Sequence, residues 1–260
     1  MSFARSADQT DLYYEVNGCG DDVLVLIAGQ SNNHHWWDVP RQDFDAVFRT
    51  VVFDHRGTGR SDKPDNGYDI RGFAGDVVAI LDDLGVDRAH VYGTSMGGRV
   101  AQWLAADHPS RVDRLVLGCT SPGSPHGVER GPEVRRALAQ RDRAKAHQVL
   151  LELMYTPDWL ATHSGPFNTV GDPHMPPHAL RGHFLASKNH DGWDACAKIT
   201  APTLVVHGAD DIFNPTANAA LLADRIPDAR ATIIPKARHA YFEEFRSIAS
   251  PLVSEFLTAP

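Results

Sequence analysis

The chain has 260 residues, 33 Asp and Glu against 25 Lys and Arg, and a formal net charge of −8. With no basic run to follow a phosphate backbone, this balance excludes nucleic acid as a partner. Its length and 42% hydrophobic content suit one large α/β domain with a sizeable core, and nothing in it requires a second.

Residues 11–17 read as an early strand ended by Gly18-Cys19-Gly20. Residues 23–28 form a nearly continuous apolar run, as a strand buried on both faces does. Gly29 stops that run, and a polar-aromatic loop follows: Gln30-Ser31-Asn32-Asn33-His34-His35-Trp36-Trp37. Residues 50–54 make the next strand and lead into His55-Arg56-Gly57-Thr58-Gly59-Arg60-Ser61. That loop lacks both the G-K-[ST] ending and the G-x-G-x-x-G spacing of a phosphate cradle, so it reads as a structural turn. Phe73, Val77, Ile80, Leu81 and Leu84 recur with a helical period, and Gly85 stands where a C-cap belongs.

The short apolar run Ala89-His90-Val91-Tyr92 then precedes Gly93-Thr94-Ser95-Met96-Gly97-Gly98, and residues 99–106 space their apolar side chains as a helix does. Strand, sharp turn and helix are the setting in which G-x-S-x-G marks a nucleophile elbow, with glycines permitting a strained turn that lifts Ser95 to the strand's C-terminal end. There the helix N-terminus favours a developing negative charge. A strand over residues 112–117 continues the alternation and predicts a mainly parallel sheet with right-handed crossovers. From about Ser121 to Ala197 the pattern breaks into prolines and helical stretches without a convincing strand, which predicts a helical lid, residues 121–197, between core segments 1–120 and 198–260. The sheet resumes at residues 202–207, followed by a helix near 216–225 and a strand at 231–234. The last helix carries Leu252, Val253, Phe256 and Leu257, beginning at Ser250-Pro251 or earlier.

A nucleophilic serine needs a base to take its proton and a carboxylate to orient that base, all at C-terminal strand ends. Asp211 follows the next-to-last strand and His239 the last, in the chain order Ser, Asp, His that elbow hydrolases use. Of the other histidines, His174 and His178 are separated by Pro176 and Pro177, which forbid a shared helical face, and no metal site is expected there. His34 and His35 read as loop or pocket residues. Cys19, Cys119 and Cys196 are widely spaced and form no C-x-x-C pair, so neither a disulfide framework nor a thiolate metal site is indicated. Residues 1–9 lack an apolar targeting region and no later run reaches membrane-span length, which predicts a soluble cytoplasmic protein with no membrane partner.

Taken together, these motifs resemble the α/β-hydrolase fold over nearly the whole chain. The family's D-x-R-G-x-G-x-S loop corresponds to Asp54-His55-Arg56-Gly57-Thr58-Gly59-Arg60-Ser61, and its G-x-x-D to Gly208-Ala209-Asp210-Asp211. The resemblance selects Asp211 over the adjacent Asp210, and the stretch Gly118-Cys119-Thr120-Ser121-Pro122-Gly123-Ser124, the other place where relatives carry the acid, has no carboxylate. It implies an eight-stranded, mainly parallel sheet flanked by helices, no cofactor, and an oxyanion hole made by the backbone N–H groups of Gln30 and Met96. Where relatives have His-Gly this chain has Ala28-Gly29, a departure that touches the histidine's structural role and not the backbone donor. Asn33, Trp37 and Trp159 are candidate substrate contacts, with Trp36, Met154, Phe167 and Trp193 as further pocket walls.

The activity implied is hydrolysis of a carboxylic ester or lactone of a small to medium organic substrate through an acyl-enzyme on Ser95. The same triad in relatives cleaves C–C bonds or transfers acyl groups, and a third reading is a small-molecule-binding protein on the same scaffold, whose mark would be a broken triad. Haloalkane dehalogenation is disfavoured because that chemistry requires Asp at the position of Ser95.

Overall fold

A computed structural model describes residues 2–259. Eight strands form one sheet in the order β1-β2-β4-β3-β5-β6-β7-β8. They are β1 (Ser2–Arg5), β2 (Asp11–Asn17), β3 (Val23–Ile27), β4 (Arg49–Phe53), β5 (Ala89–Thr94), β6 (Val112–Gly118), β7 (Thr203–Gly208) and β8 (Ala229–Ile234). β1 and β2 pair antiparallel, as do β2 and β4; the remaining pairs are parallel. β1 escaped the sequence reading because it is an edge strand in which only Ala4 is buried, so it has no alternation strong enough to see.

The central strands are buried on both faces, since helices cover both sides of a parallel sheet. On one side lie α2 (Ile70–Asp83), α3 (Met96–Asp107), α8 (Trp193–Cys196) and α9 (Ala217–Arg225), packed on Val25, Ile27, Val91, Leu117 and Val205. The other holds the short helix α1 (Arg41–Phe44), α10 (Tyr241–Glu244) and α11 (Arg246–Thr258), with Trp36, Trp37 and Phe48 over Leu24, Leu26, Tyr92 and Val206. Asp69 caps α2 by accepting from Gly72 N at 2.8 Å, and Gly85, at φ +63°, supplies the left-handed residue past its C-terminus. α11 begins at Arg246 and contains Pro251, so the earlier of the two expected starts is the correct one.

Between β6 and β7 the chain forms α4 (Pro132–Leu138), α5 (Arg143–Met154), α6 (Pro157–Thr162), α7 (Pro177–Lys188) and α8. Its two ends meet: Gly123 and Asp191 form an isolated antiparallel bridge, Ser124 N donates to His190 O at 3.1 Å and Gly192 N to Pro122 O at 2.7 Å. No helix among the described residues is long and apolar enough to cross a membrane.

The glycine-rich loop after β4 is held entirely by its own chain. Asp54 accepts from His34 N at 2.8 Å and Arg60 N at 2.7 Å, and Ser61 Oγ donates to Asp54 O at 2.7 Å. A Cβ on Gly59 would lie 2.1 Å from the Asp54 carboxylate, so only glycine fits the turn. Arg56 anchors the loop to α2 by a bidentate pair with buried Asp76 at 2.6 and 2.8 Å, and reaches Asp8 at 2.7 Å. Replacing Asp76 by Ala leaves the buried guanidinium with only the more exposed Asp8 carboxylate, and breaking a buried pair costs up to about 3–5 kcal/mol. Asp76→Ala is therefore expected to unfold at a clearly lower denaturant concentration than wild type; a midpoint within experimental error of wild type would contradict the anchoring role.

Candidate active site

β5 delivers the chain into a sharp reversal at Ser95, which has φ 56° and ψ −121°. A non-glycine residue in such a region costs about 1–3 kcal/mol and persists only when its surroundings over-determine it. Here the surroundings are mostly backbone. A Cβ on Gly93 would sit 2.2 Å from Gly97 O, one on Gly97 2.2 Å from Ile27 O, and one on Gly98 2.6 Å from the Thr120 side chain. Ser95 N donates to Gly118 O at 2.9 Å, and Thr120 Oγ1 donates to Ser95 O at 2.7 Å, so β6 holds the turn from the far side. Serine at a helix start ordinarily caps it with its own oxygen. Ser95 does not: its side chain makes no capping bond to α3, which leaves Oγ uncommitted.

Asp211 and His239 stand at the C-terminal ends of β7 and β8, in the loops that follow, on the same edge of the sheet. His239 Nδ1 donates to Asp211 Oδ2 at 2.8 Å, and both side chains are buried. The other oxygen, Oδ1, accepts from Phe213 N at 2.9 Å and Asn214 N at 2.8 Å. Burial works to raise the Asp211 carboxyl, but the His239 charge and the hydrogen bonds from His207 and His239 outweigh it and hold the group well below the usual carboxylate range. Asp210, by contrast, is exposed and forms no side-chain hydrogen bond or ion pair among the described residues. With Nδ1 committed to Asp211, His239 Nε2 is the acceptor nitrogen; it is enclosed and has no hydrogen-bond partner. A continuous path links this pair to the elbow: Asn214, bonded to Asp211, also donates through Nδ2 to Cys119 O at 2.7 Å, next to Gly118 and Thr120 that hold Ser95.

Met96 occupies the first position of α3, where an N–H has no acceptor within the helix. Gln30 lies in the loop after β3, and that loop is fixed from the β6–β7 segment. Ser31, at φ 60°, donates its N–H to His183 Nδ1 of α7 at 3.2 Å, and its carbonyl accepts from Asp172 N at 2.7 Å. Asn32 donates to Gln30 O at 2.8 Å and accepts from Gly171 N at 2.8 Å. His183 is fully buried, donates through Nε2 to Arg56 O at 2.8 Å, and is held neutral because burial pushes its pKa down to about 3. Sequence reasoning missed His183, since a lone histidine on an amphipathic helix carries no motif. Where relatives have a histidine before Gly29, the Ala28 carbonyl accepts from His55 Nε2 at 3.1 Å, so an imidazole braces this point from the β4 loop.

The candidate substrate contacts separate. Asn33 uses its side-chain oxygen to accept from His35 N at 3.0 Å, and so caps the turn His34–Trp37. Trp37 is fully buried and packs between Tyr92 and Phe242, with ring centroids 5.0 and 5.4 Å away. Trp36 likewise packs on Phe242 and donates to Thr94 Oγ1 at 2.9 Å, beside the elbow. Trp159 is half-buried and lines a cleft of about 270 Å³ with His163, Phe167 and Glu243; Ser95, Asp211 and His239 do not line it. His34 pairs with Asp54 at 2.7 Å and His178 with Lys63 O at 3.2 Å. Among the described residues no group of three or more His, Cys, Asp or Glu side chains is placed to hold a metal ion.

Residues 22–245 match the profile of the alpha/beta hydrolase fold family. The chain belongs to that family. An α/β hydrolase relative from Caulobacter sp. (strain K31), named "Putative carbamate hydrolase RutD", is 32% identical over 248 residues, 91% of this chain and 92% of its own length. Among solved structures, Est816, described as an N-acyl homoserine lactone degrading enzyme, is 34% identical with a TM-score of 0.82, covering 98% of this chain and 100% of its own. The enol-lactonase of Burkholderia xenovorans LB400 is 25% identical with a TM-score of 0.85, covering 99% and 100%. This α/β hydrolase is therefore an enzyme of the hydrolase class, with the eight-stranded, mostly parallel sheet of its family.

Two expectations follow from the site's geometry. Removing the His183 ring leaves the Ser31 N–H and the Arg56 carbonyl without partners, at about 1–3 kcal/mol for each enclosed group. His183→Ala should therefore raise amide hydrogen exchange at residues 29–33 above that of β7 in the same sample; unchanged exchange at Ser31 would contradict the clamp. Because the folded Asp211 pKa lies below the unfolded value of about 3.9, its stabilisation is complete above that pH and is lost as pH falls through the folded value. Asp211→Asn is expected to flatten unfolding free energy against pH below about 4 relative to wild type, measured by urea titration.

Proposed function

We propose that this hydrolase opens a carboxylic ester or lactone through an acyl-enzyme on Ser95. The observation that carries the reading is the His239–Asp211 pair, fixed at 2.8 Å through Nδ1 so that the Nε2 lone pair is free at the sheet edge that carries the strained serine. In the proposed reaction Nε2 takes the Ser95 proton as Oγ attacks the carbonyl carbon, and the ionised Asp211 stabilises the imidazolium. The backbone N–H groups of Gln30 and Met96 receive the oxyanion, each such donor being worth about 100-fold to 1000-fold in rate. His239 then protonates the leaving oxygen; water, deprotonated by the same nitrogen, releases the acid. The helical segment 121–197 serves as the cap, and its hydrogen bonds to Ser31 and Asn32 support that role.

The ring ester in the descriptions of Est816 and of the enol-lactonase supports the lactone branch. A carbamate, the substrate class in the Caulobacter relative's name, presents the same acyl carbon to Ser95 and is the second reading.

A fluorophosphonate probe tests the nucleophile directly. Intact mass is expected to show a single adduct on wild type and none on Ser95→Ala, with ester, lactone or carbamate turnover absent from the variant. Asp211→Asn, which favours the wrong imidazole tautomer, should lower kcat by about 10⁴. Turnover that survives in Ser95→Ala would sink the proposal.

A further inference from the structure

Two arginines beside the elbow have no anionic partner. Arg99 lies four residues after Ser95, one turn along α3. Its Nη1 donates to Ser187 O at 2.6 Å and its Nη2 to Ser121 Oγ at 3.0 Å, while Nε is enclosed with no partner at all. Arg130 comes from the loop before α4, and its guanidinium lies over the Phe213 ring, 4.2 Å from the centroid. Phe213 in turn meets the His239 ring at 4.8 Å and 74°. Among the described residues Arg130 makes no hydrogen bond and no ion pair, and Arg99 makes no ion pair.

The loop that carries Arg130 is fastened to the acid loop. Asn218 accepts from Val128 N at 2.8 Å and donates to Val128 O at 2.9 Å and to Asn214 Oδ1 at 3.1 Å, and Asn214 is bonded to Asp211. Arg130 is therefore placed by the same asparagine ladder that orients the carboxylate. Burial, and next the charge of Arg130, pull the Arg99 guanidinium down to about 10, and burial lowers Arg130 as well. Glu129 is the carboxylate whose field reaches both, yet it is exposed and pairs with neither. Asp211, whose field also reaches Arg130, is committed to His239 and His207.

Arg99 is partly buried with an enclosed Nε that lacks an acceptor, and a second cation whose field it feels is a costly neighbour unless an anion joins them. On a chain of net charge −8 this local positive pair is also what would draw in an anionic substrate that the remaining surface repels. Guanidinium N–H forks match the planar oxygen pair of a carboxylate. We propose that Arg99 and Arg130 form an anion subsite for a carboxylate carried by the substrate beside its scissile ester, so that the preferred substrates are half-esters or lactones of dicarboxylic acids. This rests on the ester-hydrolase reading for the identity of the substrate, but the anion subsite itself is tested by binding alone.

Calorimetric titration of glutarate into wild-type enzyme reads the subsite without turnover. Saturable binding is expected, weakened at least tenfold in Arg130→Gln and less in Arg130→Lys, with neutral glutaramide not bound; matched circular dichroism spectra establish that the variants are folded. No binding of glutarate, equal binding by Arg130→Gln, or equal affinity for inorganic phosphate would overturn the proposal. The kinetic arm compares kcat/KM for monomethyl glutarate and methyl valerate. The ratio should exceed ten in wild type and fall at least tenfold in Arg130→Gln, whereas an equal loss on both esters would count against the subsite. If neither ester is hydrolysed, the ester-hydrolase reading fails, and the glutarate titration still decides the anion site.

Discussion

The structure depends on a contact between backbones that leaves no room for side chains. Ser95 can hold a positive φ because β5, α3 and β3 meet at Gly93 and Gly97 with carbonyl oxygens where Cβ atoms would stand, while the Thr120 side chain closes on Gly98. The strain at the serine is sustained by the packing of the whole sheet centre, where Leu26, Ile27, Val91 and Leu117 are fully buried. Reactive geometry and core stability are in this sense one property of the molecule: loosening the sheet would relax the elbow, and filling the elbow would part the sheet.

Around that contact, the buried charged groups are satisfied by their neighbours. Asp54, Asp76, Asp211 and His183 are buried, and each has hydrogen-bond partners. The exceptions of chemical interest are His239 Nε2 and Arg99 Nε, both enclosed and without partners. An acceptor nitrogen and a cationic donor left open are each a place where a bound molecule could supply the missing partner.

Much of this was legible in the residues because the elbow, the Asp211 loop and His239 are local. Their spacing within a few residues of strand ends encodes where the fold must place them. The polar-aromatic loop was legible only as a feature. Asn32 and Ser31 hydrogen-bond to residues 171, 172 and 183, about 140 to 150 positions away, and no periodicity reports such a partner. Trp37 shows the converse limit: a tryptophan in a loop next to the site reads as a pocket wall, and only packing against Tyr92 and Phe242 assigns it to the core. Arg99 and Arg130 belong to no motif, since a missing counter-ion is a property of three-dimensional neighbours.

The bridge between Gly123 and Asp191 has a consequence for how such a chain can diversify. Because the intervening helices leave and rejoin the fold at one rung, that stretch behaves as a cassette whose length can change without shifting the strands that flank it. Yet the cassette also supplies Gly171, Asp172 and His183 to the loop after β3. A foreign cassette grafted at the same rung would keep the sheet intact and leave that loop unsupported, so a donor has to be chosen for three internal contacts as well as for the shape of its cavity.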